Sequence, residues 1–165
     1  VIGANPVGLE QLVAQAGSKK IENDGIVDLQ SYMDKSQSEC LNQKPNRTFK
    51  QMMEGKSVLE SDCDEQLLIT IPFSQKVRIQ SIKLDGNMRS VKIFANRPHL
   101  GFESAENSEA TQIIEISAET VGKAIPLKFV KFQNVQTISL LVLDNSDSKE
   151  TTTISALQIF GSAII

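Results

Sequence analysis

From Gln66 to Phe160 the sequence is a succession of short runs rich in β-branched, Leu and Phe residues, with no helical run of ten or more residues among them. The runs fall at residues 66–73, 77–84, 91–96, 111–116, 127–132, 138–143 and 152–160. Turn chemistry separates them: Asp85-Gly86-Asn87, Asn96-Arg97-Pro98, Val121-Gly122-Lys123, Gln133-Asn134 and the stretch 144–147. Seven strands joined by turns predict an all-β domain, either a β-sandwich or a jelly roll.

Two runs break their own alternation. In residues 77–84 the polar and apolar positions exchange faces after Gln80, which predicts a bulge or a bend between two sheets. In residues 127–132 the lysines stand at 128 and 131, which predicts a bulge or break near Val130. Upstream the pattern is different. Residues 5–16 read as an amphipathic helix, with Asn5 as cap, Pro6 in the first turn, Leu9, Leu12, Val13 and Ala16 on one face, and Gly17 as the stop. The polar stretch 18–25 reads as a linker, so the helix is expected to belong to a preceding domain. Residues 25–56 read as an irregular arm with one helical turn at 49–54.

A chain of 165 residues, 40% hydrophobic, supports one domain with a sizeable core. Its net charge of −3, with both signs interspersed, offers no surface suited to nucleic acid or anionic membrane. No apolar run approaches the roughly 20 residues of a membrane span, and no targeting signal is visible, so a soluble domain is expected.

Catalytic chemistry finds little footing. The single histidine, His99, follows Arg97-Pro98 in a turn, with no nucleophile motif to serve, and one imidazole cannot build a metal cluster. The acidic run Glu60-Ser61-Asp62-Cys63-Asp64-Glu65 lacks the order of a hand-type calcium loop and reads as loop-capping carboxylates or a partner contact. Cys40 and Cys63 stand 23 positions apart without a CxxC; two free thiols are expected, with a Cys40–Cys63 disulfide or redox pair as the alternative. Cys63 is expected to be a small buried filler. The Asn46-Arg47-Thr48 triplet matches a glycosylation acceptor and reads as chance without a secretory signal. A sugar-binding or small-molecule jelly roll is the other alternative, weakened by one Tyr, no Trp, and Phe residues that fall in strands. No glycine loop for phosphate is present, no cofactor is expected, and a non-catalytic binding module remains.

The motifs then carry a resemblance. Glu39-Cys40-Leu41-Asn42 and Leu59-Glu60-Ser61-Asp62-Cys63-Asp64-Glu65-Gln66-Leu67-Leu68-Ile69 resemble the opening of the PITH domain, the proteasome-interacting domain of thioredoxin-like proteins. So do Val91-Lys92-Ile93-Phe94-Ala95-Asn96-Arg97-Pro98, Ala110-Thr111-Gln112, Ile125-Pro126-Leu127-Lys128-Phe129-Val130-Lys131-Phe132-Gln133-Asn134-Val135, Glu150-Thr151-Thr152-Thr153-Ile154 and Ile159-Phe160-Gly161. The resemblance divides the chain into the last helix of a thioredoxin domain (1–17), a linker (18–25), a PITH β-sandwich (26–161) and a short tail (162–165).

The resemblance implies a jelly-roll β-sandwich of the galactose-binding-like kind, similar to a substrate-recruiting subunit of the anaphase-promoting complex. It also implies docking of a thioredoxin-like protein onto the regulatory particle of the 26S proteasome, at its lid near the deubiquitinating subunit, by a monomer in cytoplasm and nucleus. Disulfide reductase activity would reside in the thioredoxin domain. The candidate contact residues are Asn96, Arg97, Gln133 and Asn134, which fall in turns where a rigid scaffold presents side chains. Turn-forming chemistry is the competing explanation of the same residues.

Overall fold

The computed structural model describes residues 25–164, so the helix expected at 5–16 and nearly all of the linker lie outside the described residues. Within them the chain is built from nine antiparallel strands: β1 (Val27–Asp28), β2 (Glu39–Leu41), β3 (Leu59–Glu60), β4 (Leu67–Gly86), β5 (Ser90–Ala95), β6 (Gln112–Glu115), β7 (Ala124–Pro126), β8 (Val135–Val142) and β9 (Thr153–Ala163). Two short helices join them, α1 (Phe49–Met53) and α2 (Phe102–Asn107).

The pivot is β4. The two runs expected at 66–73 and 77–84 are one strand, whose register shifts between Pro72 and Val77. Pro72 cannot donate a ladder hydrogen bond, and the chain bends there without ending. Before the bend β4 pairs with β8 on one side and β2 on the other; after it, with β9 and β7. One strand thereby serves two layers. The sheet order β1-β9-β4-β8-β5-β6 curls around a single interior, the jelly-roll sandwich expected from the runs.

That interior takes Leu67, Ile69 and Ile71 from the first half of β4 and Val77, Ile79, Ile82 and Leu84 from the second, all essentially inaccessible. Ile138, Leu140 and Val142 of β8 and Ile154 and Ile159 of β9 complete it. A smaller cluster of Leu68, Phe94, Leu100, Ala105 and Leu141 lies under α2 on the outer side of the sheet. The first half of β4 is therefore buried on both faces, which is why residues 66–73 read as a nearly continuous apolar run.

The face exchange at Gln80 is a bulge. Ile79 pairs with Gly161 and Ser81 with Phe160, leaving Gln80 as the extra residue, whose carbonyl accepts from Leu127 N at 2.9 Å. A side chain at Gly161 would run into the Arg78 carbonyl, so the bulge requires glycine on the facing strand. The run at 127–132, by contrast, is not a strand. Strand β7 stops at Pro126 and a 3-10 turn, Phe129–Lys131, follows. Leu127 and Phe132 are buried at its two ends, while Phe129 is 44% and Val130 81% exposed. A spacing of three between Lys128 and Lys131 matches the repeat of such a turn.

The arm before β4 is more ordered than its polar sequence suggests. Strands β1 and β3 pair with β9, and β2 pairs with β4. The helical turn expected at 49–54 is α1, entered through a Thr48/Gln51 capping box and anchored by buried Phe49 and Met52. Helix α2 has no counterpart among the expected elements. At the other end, β9 continues through Ala163.

Candidate functional site

The turns at 96–97 and 133–134 come together. Asn96 sits at φ 62°, a left-handed conformation in which Asn is better tolerated than most residues. Its Oδ1 accepts from the backbone of Gln136 at 2.8 Å and of Thr137 at 3.3 Å, and its Nδ2 donates to the Asn134 carbonyl at 3.0 Å. Asn96 therefore joins the end of β5 to the start of β8, so its side chain is committed to structure. The Ser139 hydroxyl donates to the Arg97 carbonyl at 3.3 Å, which fixes the next residue's backbone. Arg97 and Asn134 are exposed, and Gln133 is half-buried beside them.

The same corner reaches the 3-10 turn. Thr111 Oγ1 accepts from Ala95 N at 3.0 Å, while the Thr111 carbonyl accepts from Lys131 Nζ at 3.5 Å. Lys128 N donates to Gln112 Oε1 at 2.7 Å. Arg97, Lys128, Lys131, Phe129, Val130 and Asn134 thus share one rigid edge of the sandwich. The lysine spacing of three, which predicts a break near Val130, is the signal for this turn; the strand expected around it hides that Phe129 and Val130 project from the edge.

The acidic motif has a different role. Ser61 and Thr152 are fully buried and exchange hydrogen bonds, Ser61 N to Thr152 O at 2.9 Å and Thr152 N to Ser61 Oγ at 2.8 Å. Thr152 Oγ1 donates to the Glu65 carbonyl at 2.6 Å. Asn42, at φ 70°, accepts from Cys63 N at 3.1 Å and donates to Asp64 Oδ1 and to the Gln66 carbonyl, each at 2.8 Å. Asp64 also accepts from Gln66 N at 3.0 Å. Glu60 accepts from Lys44 at 2.9 Å and from Thr151 at 2.7 Å; these bonds, Lys44's first, hold its carboxyl below the usual range. These residues hold the arm against β9. Among the described residues, no group of three or more His, Cys, Asp or Glu side chains is placed to hold a metal ion.

Both cysteines are free. Cys63, expected as a buried filler, is exposed, because the loop turns its polar backbone inward to Asn42 and its side chain outward. Cys40, on β2 opposite Ile69, stands on the wall of a cleft of about 410 Å³ that Lys35, Phe49, Lys50, Met53 and Glu54 also line. Burial pushes its thiol up to about 12, so at neutral pH it is protonated and a poor nucleophile. His99 is exposed in its turn.

A family model described as the PITH domain matches residues 19–164. The chain belongs to the PITH domain family. Thioredoxin-like protein 1 of Schizosaccharomyces pombe is 35% identical over 98% of this chain and 64% of its own length. PITH domain-containing protein 1 of Xenopus laevis is 27% identical over 72% of this chain and 63% of its own. The human protein of the same name is 24% identical over 72% and 62%. The PITH chain thus spans less than two thirds of the length of these relatives.

Among solved structures, the family 32 carbohydrate-binding module of Clostridium perfringens NanJ, in complex with galactose, superposes with a TM-score of 0.60 at 9% identity, over 82% of this chain and 98% of the module. The CBM32-3 module of a C. perfringens family 31 glycoside hydrolase gives 0.56 at 14%, over 80% and 96%. At such identities the likeness establishes the galactose-binding-like jelly roll of this PITH domain and nothing of its ligand.

Proposed function

We propose that this PITH domain is a non-catalytic protein-binding module that docks a thioredoxin-like protein onto the regulatory particle of the 26S proteasome, at the lid near its deubiquitinating subunit. The observation that carries the reading is family membership over nearly the whole chain, together with a relative named as thioredoxin-like that aligns to 98% of it. The geometry supports it. Asn42, Ser61 and Thr152 are committed to structure, through the Ser61–Thr152 exchange and the Asn42 bond from Cys63 N, and the Cys40 thiol is chemically quiet. Presentation of Arg97 and its neighbours on a rigid edge suits protein recognition. The reading puts the protein in cytoplasm and nucleus as a monomer.

The test is binding of the full chain to purified 26S proteasomes on a biosensor surface. Saturable binding that survives replacement of both Cys40 and Cys63 by Ser is the expected result. No binding by a demonstrably folded chain would refute docking. Binding lost with the thiols would instead support the redox alternative.

A further inference from the structure

We propose that the 3-10 turn Phe129–Lys131, with Lys128, Lys131 and Arg97 around it, is the surface on which the partner docks, and that its occupant is an acidic segment of a proteasome subunit bearing an apolar anchor residue. This rests on the docking reading above and specifies its site. Three observations carry it.

The first is exposure held in place by burial. Val130 is 81% and Phe129 44% exposed, yet Leu127 and Phe132, two and three positions away, are buried at 6% and 0%. The turn closes on itself through Lys131 N to Lys128 O at 2.8 Å and Phe132 N to Phe129 O at 3.0 Å, and Phe132 O accepts from Ile79 N on β4 at 2.9 Å. The apolar pair is therefore held out into solvent by a turn pinned at both ends. A rigid apolar projection loses little conformational entropy on binding.

The second is charge. The chain carries a net −3, yet residues 120–143 and 90–102, which build this edge, contain no Asp or Glu. The carboxylates of the segment between them are Glu103, Glu106, Glu109, Glu115 and Glu119, with Glu109 two positions before Thr111. Arg97, Lys128 and Lys131 are all exposed there, and Lys131 is tied to Thr111, whose hydroxyl in turn fixes Ala95 beside the Arg97 turn. A cationic rim around an apolar centre on an acidic protein complements a partner of opposite sign and disfavours neutral or basic ones. The third is contiguity: the turn candidates Arg97, Gln133 and Asn134 belong to the same edge, through the Asn96–Asn134 bond.

The experiment measures binding of full-chain variants to purified 26S proteasomes. Val130→Asp and the double variant Lys128→Glu/Lys131→Glu alter exposed side chains, and thermal unfolding confirms that each folds. Leu41→Ser, on the exposed face of β2, is the control. Each surface variant is expected to weaken binding by about tenfold or more, the control not at all. A photo-crosslinking side chain at position 130 is expected to label a subunit segment rich in Asp and Glu. Wild-type binding with unaffected variants overturns this surface while leaving docking intact. Crosslinks to a neutral or basic segment, or to a second copy of the chain, overturn the stated occupant. Absence of wild-type binding refutes the docking reading and this proposal with it.

Discussion

Lys92 carries its ammonium into the layer between β5 and α2, where it is 9% exposed and donates to the carbonyls of Ala105, Glu106 and Ser108 at 2.9, 3.1 and 2.9 Å. Those carbonyls end α2, whose last turn has no further intrahelical donors, so one cation satisfies three acceptors and the negative end of the helix together. Lys92→Met keeps the stem and removes the donors; we expect a loss of about 2–3 kcal/mol in urea unfolding, with faster amide exchange in α2. Cys40 makes the opposite case, a group stabilised in its neutral form. In the unfolded chain its thiol ionises near 9.0 and in the folded one near 12, so the folded state holds the proton over that window and stability falls as pH rises through it. Cys40→Ala should flatten the decline. In thiol-reagent kinetics at pH 8, the exposed Cys63 should react faster than the partly buried Cys40, whose thiol stays protonated there; equal rates would contradict the burial argument. Neither role was legible in the sequence. Lys92 looks like any polar alternate of a strand, and only α2, which the 102–107 composition did not announce, gives it a purpose. Asn96 was legible as a turn residue, because a left-handed position selects Asn by local sterics alone.

Strands were read well where the run carries its own signal and less well where an element depends on its neighbour. The Gln80 bulge could be seen because alternation of side chains is a property of the strand itself, and a slip of one residue exposes the wrong face. Its counterpart could not: Gly161 looks like a generic strand ending until the Arg78 carbonyl is placed over its Cα. Gly161→Ala forces that carbonyl to move, and the expected cost is about 1–3 kcal/mol in denaturant unfolding. Gly86, at φ 151° with the Thr153 carbonyl against it, combines overlap with backbone strain and should tolerate alanine no better. A neutral result at both positions would mean that the β4–β9 ladder adjusts freely. The segment 127–132 misled for a related reason: its composition is that of a strand, but burial of Leu127 and Phe132 at its ends can be met by a 3-10 turn that leaves the middle in water. β-propensity does not distinguish the two.

At the scale of the whole molecule, the arm before β4 is part of the sandwich. Residues 27–61 supply β1 and β3 to one layer and β2 to the other, and close the molecule through the Ser61–Thr152 exchange, the Glu60 contacts with Lys44 and Thr151, and the Asn42 bonds. An arm of polar, irregular composition gave no periodic signal of this, since two- and three-residue strands are too short to carry one. Two consequences can be measured. Glu60 ionises more readily folded than unfolded, so its contribution is present above its usual value near 4.5 and disappears as pH falls through the lowered folded value. Glu60→Gln should therefore remove part of the acid dependence of stability while leaving the alkaline side unchanged. The sharper test is truncation. A chain starting at Gln66 keeps β4 to β9 and every residue of the proposed docking edge, but strips β9 of two strands, β4 of one, and Thr152 of its buried partner. Buried polar groups left unpaired cost about 1–3 kcal/mol each, and marginal stability leaves little room for several at once. The truncated chain is expected to lose cooperative thermal unfolding, although no residue of the proposed docking edge has been removed. A cooperative transition retained without the arm would show that β4 to β9 form a sufficient core, and that the polar motif at 61–66 serves a purpose other than closing the fold.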